Sequence, residues 1–214
     1  MPNQTKTSKV IQANFGPHAS AQRGLSRENH YRRFFGELTE PVWHSTDDKS
    51  PHVDIYQFPP IPERDFWTLV TGGMSDLRQP KLRTPLGECA PRAELLMYVN
   101  EPKPWMITVL KGLAEMPFDH ETYLYYGHTV PNGKPMTATP SHLTSFFFDQ
   151  PYLEDPNLQD LTIDGDAVAF LWLRPIAESE RAYAIERSGE ALSELFSSLD
   201  VNPVVVDETR KPIV

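Results

Sequence analysis

The spacing of apolar residues predicts four helices along the chain. Between residues 31 and 38 the apolar side chains lie three or four positions apart, which is the spacing of one buried helix face. A second apolar face follows Pro104, which can open a helix, and is expected to end at Pro117. Two further helices are predicted near the C-terminus, over residues 178–187 and 188–199.

Five apolar runs of strand length predict β-structure between these helices. They cover residues 53–58, 66–71, 94–99, 143–148 and 167–173. The pair Asp164-Gly165 precedes the last run and predicts a two-residue hairpin turn, because both positions of such a turn require a positive φ. Residues 168–172 are apolar on both faces, so this strand is expected to be central in its sheet and covered on both sides.

Together these elements predict an α/β (α+β) fold in which a mixed central β-sheet is sandwiched by helices. A chain of 214 residues suits one such domain, and we assign it to residues 28–203. Residues 1–27 are polar and lack apolar periodicity, so they are predicted to form a flexible N-terminal tail. Residues 204–214 are predicted to form a C-terminal tail.

Composition narrows the cellular setting and the kind of partner. The formal net charge is −9, which disfavours binding to nucleic acids and suits a basic protein partner, although solubility alone would also explain it. No apolar run is long enough to cross a bilayer, so no membrane contact is expected. The first residues lack the apolar region of a secretory signal. Cys89 is the only cysteine, which fits a reducing cytoplasm.

The sequence carries no motif of a common enzyme class. His52 and Asp54 could share one strand face, where the carboxylate would orient the imidazole or share a metal ion. His120, His128 and Cys89 are further candidates for a metal site or a nucleophile. Because their spacing fits no standard zinc site, we predict no catalytic residue, no metal and no cofactor.

The most unusual cluster is the aromatic loop, residues 123–128, which an Asn-Gly turn follows. Tyrosine rings with polar tips beside a permissive glycine are typical of protein recognition surfaces. The hypothetical protein-binding residues are Tyr125, Tyr126, Gly127, His128, Asn132 and Trp105. The alternative is that the tyrosines are half-buried strand residues and that the Asn-Gly pair is only a turn.

Five segments, taken in order, resemble the suppressor-of-fused domain family in its bacterial single-domain branch. They read HVDIYQFPP (52–60), FWTLVTGGMSD (66–76), RAEL (92–95), YGHTVPNG (126–133) and FLWLRPI (170–176). The resemblance implies an α/β sandwich and a binding function in place of catalysis. Animal relatives hold a transcription factor by gripping a short peptide as an added strand. Bacterial relatives resemble immunity proteins, which neutralise a cognate toxin.

Several residues in these segments are expected to be structural. They are His52, Asp54, Gly72, Arg92, Glu94 and Gly133. The glycines, together with Gly127, are expected to hold unusual backbone angles. The charged residues are expected to form pairs across the fold.

Three functional hypotheses follow, in this order. The first is non-catalytic protein binding, most concretely by an immunity protein that covers a cognate toxin. The second is a regulator that binds a peptide segment at an exposed sheet edge near the aromatic loop. The third is a metal-dependent enzyme built on His120, His128 and Cys89, which requires these side chains to converge in a pocket.

Overall fold

Four α-helices, two short 3-10 helices (Met74–Asp76 and Pro156–Asp160) and eight strands form the regular structure of the described residues. The computed structural model describes residues 17–45, 51–80, 90–137, 140–205 and 208–214. The helices are α1 (Pro17–Phe35), α2 (Pro104–Asp119), α3 (Glu178–Glu186) and α4 (Gly189–Ser198). The strands are β1 (Thr39–Trp43), β2 (Asp54–Phe58), β3 (Trp67–Gly72), β4 (Arg92–Val99), β5 (Thr129–Pro131), β6 (Leu143–Asp149), β7 (Thr162–Ile163) and β8 (Asp166–Ala177). The five predicted strands correspond to β2, β3, β4, β6 and β8.

The strands form one mixed sheet in the order β1–β2–β3–β4–β8–β6–β5, and β7 pairs with the start of β8. β4 and β8 run parallel, with Glu94 opposite Phe170, whereas the other paired strands are antiparallel. Residues 168–172 are buried and lie in β8, between β4 and β6. The central position predicted for this strand is therefore confirmed.

Helices cover both faces of the sheet. On one face, α2 packs Met106, Leu110 and Ala114 into an apolar cluster with β2, β3, β4, β6 and β8. On the other face, α1 packs Tyr31 and Phe35 into a separate apolar cluster. Burial of large apolar side chains in two layers is what holds α1 and α2 to the sheet.

A third apolar cluster lies under α3 and α4. Leu192 and Phe196 of α4 pack with Phe147 of β6 and Ile176 of β8. Because side chains alternate along a strand, Ile176 shares a face with Trp172, which belongs to the cluster under α1. α1, α3 and α4 thus share one face and α2 covers the other, so the predicted sandwich is confirmed.

Local signals in the sequence are also found where they were predicted. Asp164 has φ 51° and Gly165 has φ 81°, as the hairpin between β7 and β8 requires. The Ser188 hydroxyl accepts a hydrogen bond from the Ala191 N–H at 3.0 Å and caps the start of α4.

Two predicted boundaries were wrong. α1 begins at Pro17, so the boundary placed at Arg27 falls inside a helix in which Arg23 and Arg27 are buried. The helix was not recognised in the polar sequence because it is anchored by buried ion pairs as well as by apolar side chains.

α2 continues through Pro117 to Asp119, and Pro117 is buried in the last turn of the helix. Pro117 has no N–H to donate to the carbonyl of residue 113, so the helix continues past it with one hydrogen bond fewer.

The segment predicted as a C-terminal tail lies against the sheet in its described parts. The Val205 N–H donates to the Tyr98 carbonyl at 2.9 Å, and the Asn100 N–H donates to the Val205 carbonyl at 3.1 Å. Val205 therefore pairs with the end of β4. Within the described ranges, no helix is both long and apolar enough to span a membrane.

Candidate protein-binding surface

The aromatic loop connects α2 to β5 and lies along β6. The Gly127 N–H donates to the Phe148 carbonyl at 2.8 Å, and the Phe148 N–H donates to the His128 carbonyl at 3.0 Å. Gly127 has φ 81°, the unusual backbone angle predicted for it. These bonds extend the pairing of β5 with β6 into the loop and fix the directions of its side chains.

The aromatic side chains of the loop divide between two sites. The Tyr126 hydroxyl donates to the Phe170 carbonyl at 3.2 Å, so its polar tip is directed towards β8. The rings of Tyr123 and His128 lie 5.1 Å apart, beside a cleft of about 330 Å³ between α2 and β5. Burial lowers the pKa of His128 and so favours the neutral imidazole. The loop therefore does not present its rings as one patch.

Two glycines bring the start of α4 against the aromatic loop. A Cβ on Gly189 would lie 2.3 Å from the Cα of Gly127, closer than any side chain can approach. Glycine at this position therefore lets the first turn of α4 contact the loop backbone.

An acidic cleft opens between the aromatic loop, the segment after β6 and the first turns of α4. One lobe has a volume of about 520 Å³ and lies beside α4, and the other has about 490 Å³ and lies beside residues 150–156. Tyr126, Gln150 and Tyr152 line both lobes. The acidic lining residues are Asp149, Glu154, Asp155, Glu190 and Glu194. Among the described residues, no Lys, Arg or His lines either lobe.

The floor of the cleft holds one compensated charge. The Arg174 Nη1 lies 2.9 Å from the Asp149 Oδ2, and the Ser193 hydroxyl donates to the same carboxylate. The Arg174 guanidinium also lies over the rings of Trp172 and Phe196, 4.3 Å and 4.1 Å from their centroids. The charge of Asp149 is thus neutralised by Arg174, whereas Glu190 and Glu194 are exposed at the rim of the cleft.

Glu154 is, with Asp149, a buried acidic residue of the cleft. Its side chain is 7% exposed, and its Oε1 lies 3.8 Å from the Arg64 Nη1 without a hydrogen bond. Burial raises the pKa of Glu154, and the Arg64 charge opposes that rise. The Tyr98 hydroxyl also interacts with this carboxylate and opposes the rise in its pKa.

Two predicted binding residues lie away from the acidic cleft. Trp105 is in the first turn of α2, about 17 Å along the helix axis from Met116, which borders the cleft beside Tyr123 and His128, at 1.5 Å of rise per residue. Its Nε1–H donates to Glu208 at 3.3 Å. The Asn132 amide donates to the Lys134 carbonyl at 2.8 Å and holds the Asn-Gly turn in place. The structure thus gives both residues local structural roles.

Of the other predicted binding residues, Tyr126 and Gly127 line the acidic cleft and His128 faces the α2 side. Tyr125 packs against Tyr126 with 4.8 Å between ring centroids. Sequence reasoning missed Tyr152, Glu190 and Glu194. The only available signal was the capping serine before an acidic first turn of α4, which does not show what the helix faces.

The predicted structural residue Glu94 is the centre of a buried polar network. Its carboxylate accepts hydrogen bonds from the Thr71 hydroxyl at 2.6 Å, from the Gly73 N–H at 3.0 Å, and from the Ser75 N–H at 3.0 Å. The Arg27 Nε lies 3.9 Å away, and Arg27 also contacts Asp76. This network joins α1 to the turn after β3.

Arg92 was predicted to form a pair across the fold, and it does so with the β7–β8 hairpin. Its guanidinium lies 2.9 Å from Asp166 and 3.3 Å from Asp164. Asp164 also pairs with Arg23 of α1 at 2.8 Å. Arg92 and Glu94 therefore have separate ionic partners although they lie on the same strand.

The glycine predictions were partly wrong. Gly133 has φ 72°, as expected, but the positive φ in the Gly-Gly pair belongs to Gly73, at 117°. Gly72 is required for a different reason, because a Cβ there would lie 2.5 Å from the Tyr56 ring. Sequence alone does not show which glycine of a pair bends the backbone.

His52 and Asp54 do form a pair, with 3.3 Å between Nε2 and Oδ1. The same carboxylate also faces His44 Nδ1 at 3.1 Å. No group of three His, Cys, Asp or Glu side chains in the described ranges is arranged to hold a metal ion. Cys89, named above as a candidate nucleophile, lies outside the described residues.

Both edges of the sheet carry a proline. β5 is three residues long and ends at Pro131, and β1 contains Pro41. A proline has no N–H to offer an added strand, so it weakens an edge as a docking site. The sheet edge near the aromatic loop is therefore a poor template for strand addition.

The fold and the cleft together define a class of protein, namely a mixed α/β sandwich with an acidic, aromatic cleft on its surface. The family described as "Suppressor of fused protein (SUFU)" matches residues 49–211, most of the chain. The chain belongs to the suppressor of fused family, as the resemblance in the sequence indicated.

Solved structures show the same fold. A suppressor of fused homologue from Neisseria gonorrhoeae is 21% identical, with a TM-score of 0.70 over 91% of this chain and 98% of that chain. A Sufu–Fu complex matches at 16% identity, with a TM-score of 0.61 over 91% of both chains. Drosophila Suppressor of Fused is 17% identical with a TM-score of 0.55, and the match covers 74% of this chain and 42% of that one. No curated protein matches the sequence.

Proposed function

We propose that this chain is a non-catalytic binding protein of the suppressor of fused family that neutralises a cognate toxin. The observation that carries the proposal is the acidic cleft, which combines two tyrosines with exposed carboxylates. An acidic surface of this kind is complementary to the basic substrate-binding surface of a toxin, and charge complementarity accelerates capture.

The aromatic residues of the cleft offer apolar surface to a partner, in addition to the attraction between charges. Tyr152 is 51% exposed at the centre of the cleft, and Leu153 beside it is also exposed. Large exposed apolar side chains within a polar rim are typical of protein interfaces. The net charge of −9 gives the whole molecule the same sign as the cleft.

The alternative, a regulator that adds a peptide strand to the sheet, has less support. Pro131 and Pro41 each remove a backbone donor from an edge strand. The related Sufu–Fu structure is a protein complex, which favours protein binding in general for this chain without choosing between a toxin and a regulator.

The proposal is tested by identifying a partner through the cleft and then measuring what that partner does. A photo-crosslinking residue at Tyr152 is expected to capture one protein from the native host, and the same residue at Leu25 of α1 is the exposed control. The captured protein is then expressed in a bacterium with and without this chain. Growth arrest that the chain relieves would support the proposal, and a partner that does not impair growth would contradict it.

A further inference from the structure

We propose that the acidic cleft recognises arginine side chains, and that its occupant is an arginine-rich segment of the partner protein. This inference rests on the function proposed above and names the chemistry by which the partner is held. The segment would cross Tyr126 and Tyr152, with guanidinium groups entering the lobes on either side.

The shape of the cleft suits an extended segment. Two lobes of about 520 Å³ and 490 Å³ share Tyr126, Gln150 and Tyr152 as their common wall. Each lobe has room for a long side chain, and each is lined by acidic residues. A chain lying across the shared wall could place one side chain in each lobe.

The charge of both lobes selects a cation. Glu190 and Glu194 line the α4 lobe, and neither forms an ion pair with any described residue. In the other lobe, the buried Glu154 carboxylate already faces Arg64 Nη1 at 3.8 Å and the Tyr98 hydroxyl, whereas Asp155 is exposed. The exposed carboxylates of Asp155, Glu190 and Glu194 are therefore the charges that a cation from a partner can reach.

The aromatic wall favours arginine over lysine. Because the hydroxyl of Tyr126 is bound inward to the Phe170 carbonyl, its ring is the part that borders the cleft. A planar guanidinium stacks on a ring and donates several hydrogen bonds at once, whereas an ammonium is a compact and strongly hydrated charge.

The protein already binds guanidinium groups in this way beneath the cleft. Arg174 lies over Trp172 and Phe196 while it pairs with Asp149. Arg64 lies 5.7 Å from the Phe66 ring centroid and approaches Glu154. The cleft repeats this combination of aromatic ring and carboxylate at Tyr152, Glu190 and Glu194, and no described residue of the chain supplies a cation to these two glutamates.

The test uses fluorescein-labelled octa-arginine and octa-lysine as probes and fluorescence anisotropy as the readout, with the full chain at physiological salt. We expect octa-arginine to bind more tightly than octa-lysine. The double variant Glu190→Gln/Glu194→Gln is expected to weaken octa-arginine binding about tenfold, since each exposed charge pair contributes about 0.7 kcal/mol. Tyr152→Ala is expected to weaken it about fivefold through loss of stacking.

The matched control is Glu63→Gln/Glu101→Gln, which removes the same charge from two exposed carboxylates that do not line the cleft. Octa-arginine binding to this variant should fall less than about twofold, since neither carboxylate can contact a probe held in the cleft. Equal losses in the two double variants would overturn the inference, because net charge alone would then explain binding. Equal affinity for octa-lysine would overturn the preference for arginine.

Failure of this inference can be told apart from failure of the proposed function. If cleft variants leave the relief of growth arrest unchanged, the chain neutralises its partner through another surface and only the inference fails. If the captured partner does not impair growth but binds the cleft variants more weakly, the proposed function is wrong and the cleft is still the binding site.

Discussion

At the scale of single residues, Gly73 controls the turn that follows β3. Its φ is 117°, and an added Cβ would lie 1.9 Å from the His52 carbonyl oxygen. Gly73→Ala should therefore lower the free energy of unfolding by at least about 3 kcal/mol, from backbone strain together with the clash. Urea denaturation followed by circular dichroism would measure the change.

The control for this substitution is another glycine in open space. Gly112 lies within α2, and a Cβ there would meet nothing within 4 Å. Gly112→Ala should raise stability by about 0.5–1 kcal/mol, because alanine is the better helix former. If the two alanine variants lost similar amounts of stability, the conformation described at Gly73 would be wrong.

Asp166 links stability to pH through its two arginine partners. Hydrogen bonds from Arg78 and then from Arg92 hold the pKa of Asp166 below its usual value. A carboxylate with a lowered pKa in the folded state stabilises the protein above its unfolded pKa, and that contribution is lost as pH falls through the folded pKa. Asp166→Asn should therefore be less stable than the unmodified chain at pH 7.

The difference between Asp166→Asn and the unmodified chain should begin to shrink below about pH 4, where the unfolded carboxyl becomes protonated, and should vanish once the pH falls below the lowered pKa of the folded carboxyl. Urea denaturation at pH 7, 5, 4 and 3 would follow it. Asp65→Asn, an exposed carboxylate with no arginine contact described, should show no such trend. A stability difference that stayed constant down to pH 3 would rule out this role for the ion pairs.

At the scale of elements, α1 is attached to the sheet by buried ion pairs as well as by apolar packing. Arg27 is buried between Glu94 and Asp76, so Arg27→Ala would leave two carboxylates without their cation. The loss of a partner from a buried ion pair costs about 3–5 kcal/mol. Thermal denaturation should show a large fall in Tm for this variant.

Arg32→Ala provides the comparison within the same helix. Arg32 is 43% exposed, and among the described residues its one ion pair is a 3.7 Å contact with Glu28, so its loss should cost less than about 1 kcal/mol. Similar Tm values for the two variants would mean that the buried network does not hold α1 in place.

The elements also show why part of the fold was predictable from sequence and part was not. The apolar periodicity of β8 and α4 and the turn pair at Asp164 report local preferences that the tertiary structure preserves. The start of α1 was missed because Arg23 and Arg27 look solvated in the sequence, and only their contact with distant carboxylates makes burial favourable. Local patterns carry no information about such pairs.

The candidate site was predictable only where one segment forms it. The aromatic loop was identified from its composition, and Tyr126 does line the cleft. Tyr152 and Glu190 come from segments that are distant in sequence, and the contact between Gly127 and Gly189 brings them together. Trp105 was grouped with the loop by residue type, whereas the length of α2 separates them.

At the scale of the whole molecule, the C-terminal segment joins α3 and α4 to β8. The Arg210 guanidinium bonds Glu180 at 2.6 Å and the Pro175 carbonyl at 3.2 Å, and it lies over the Phe196 ring. Glu180 is fully buried and also accepts the Ala177 N–H at 2.7 Å. One side chain from the C-terminal segment therefore contacts α3, α4 and β8.

Arg210→Ala should therefore destabilise the whole domain and not only its terminus. A buried Glu180 without its cation is expected to cost about 3 kcal/mol, measured as a lower urea midpoint with an unchanged m-value. Arg187→Ala is the control, because Arg187 is exposed and its contact with Glu186 should contribute less than about 1 kcal/mol. If Arg210→Ala left the midpoint unchanged and only increased proteolysis of residues 208–214, the segment would be a tail, as the sequence first indicated, and α3 would be held by its apolar contacts alone.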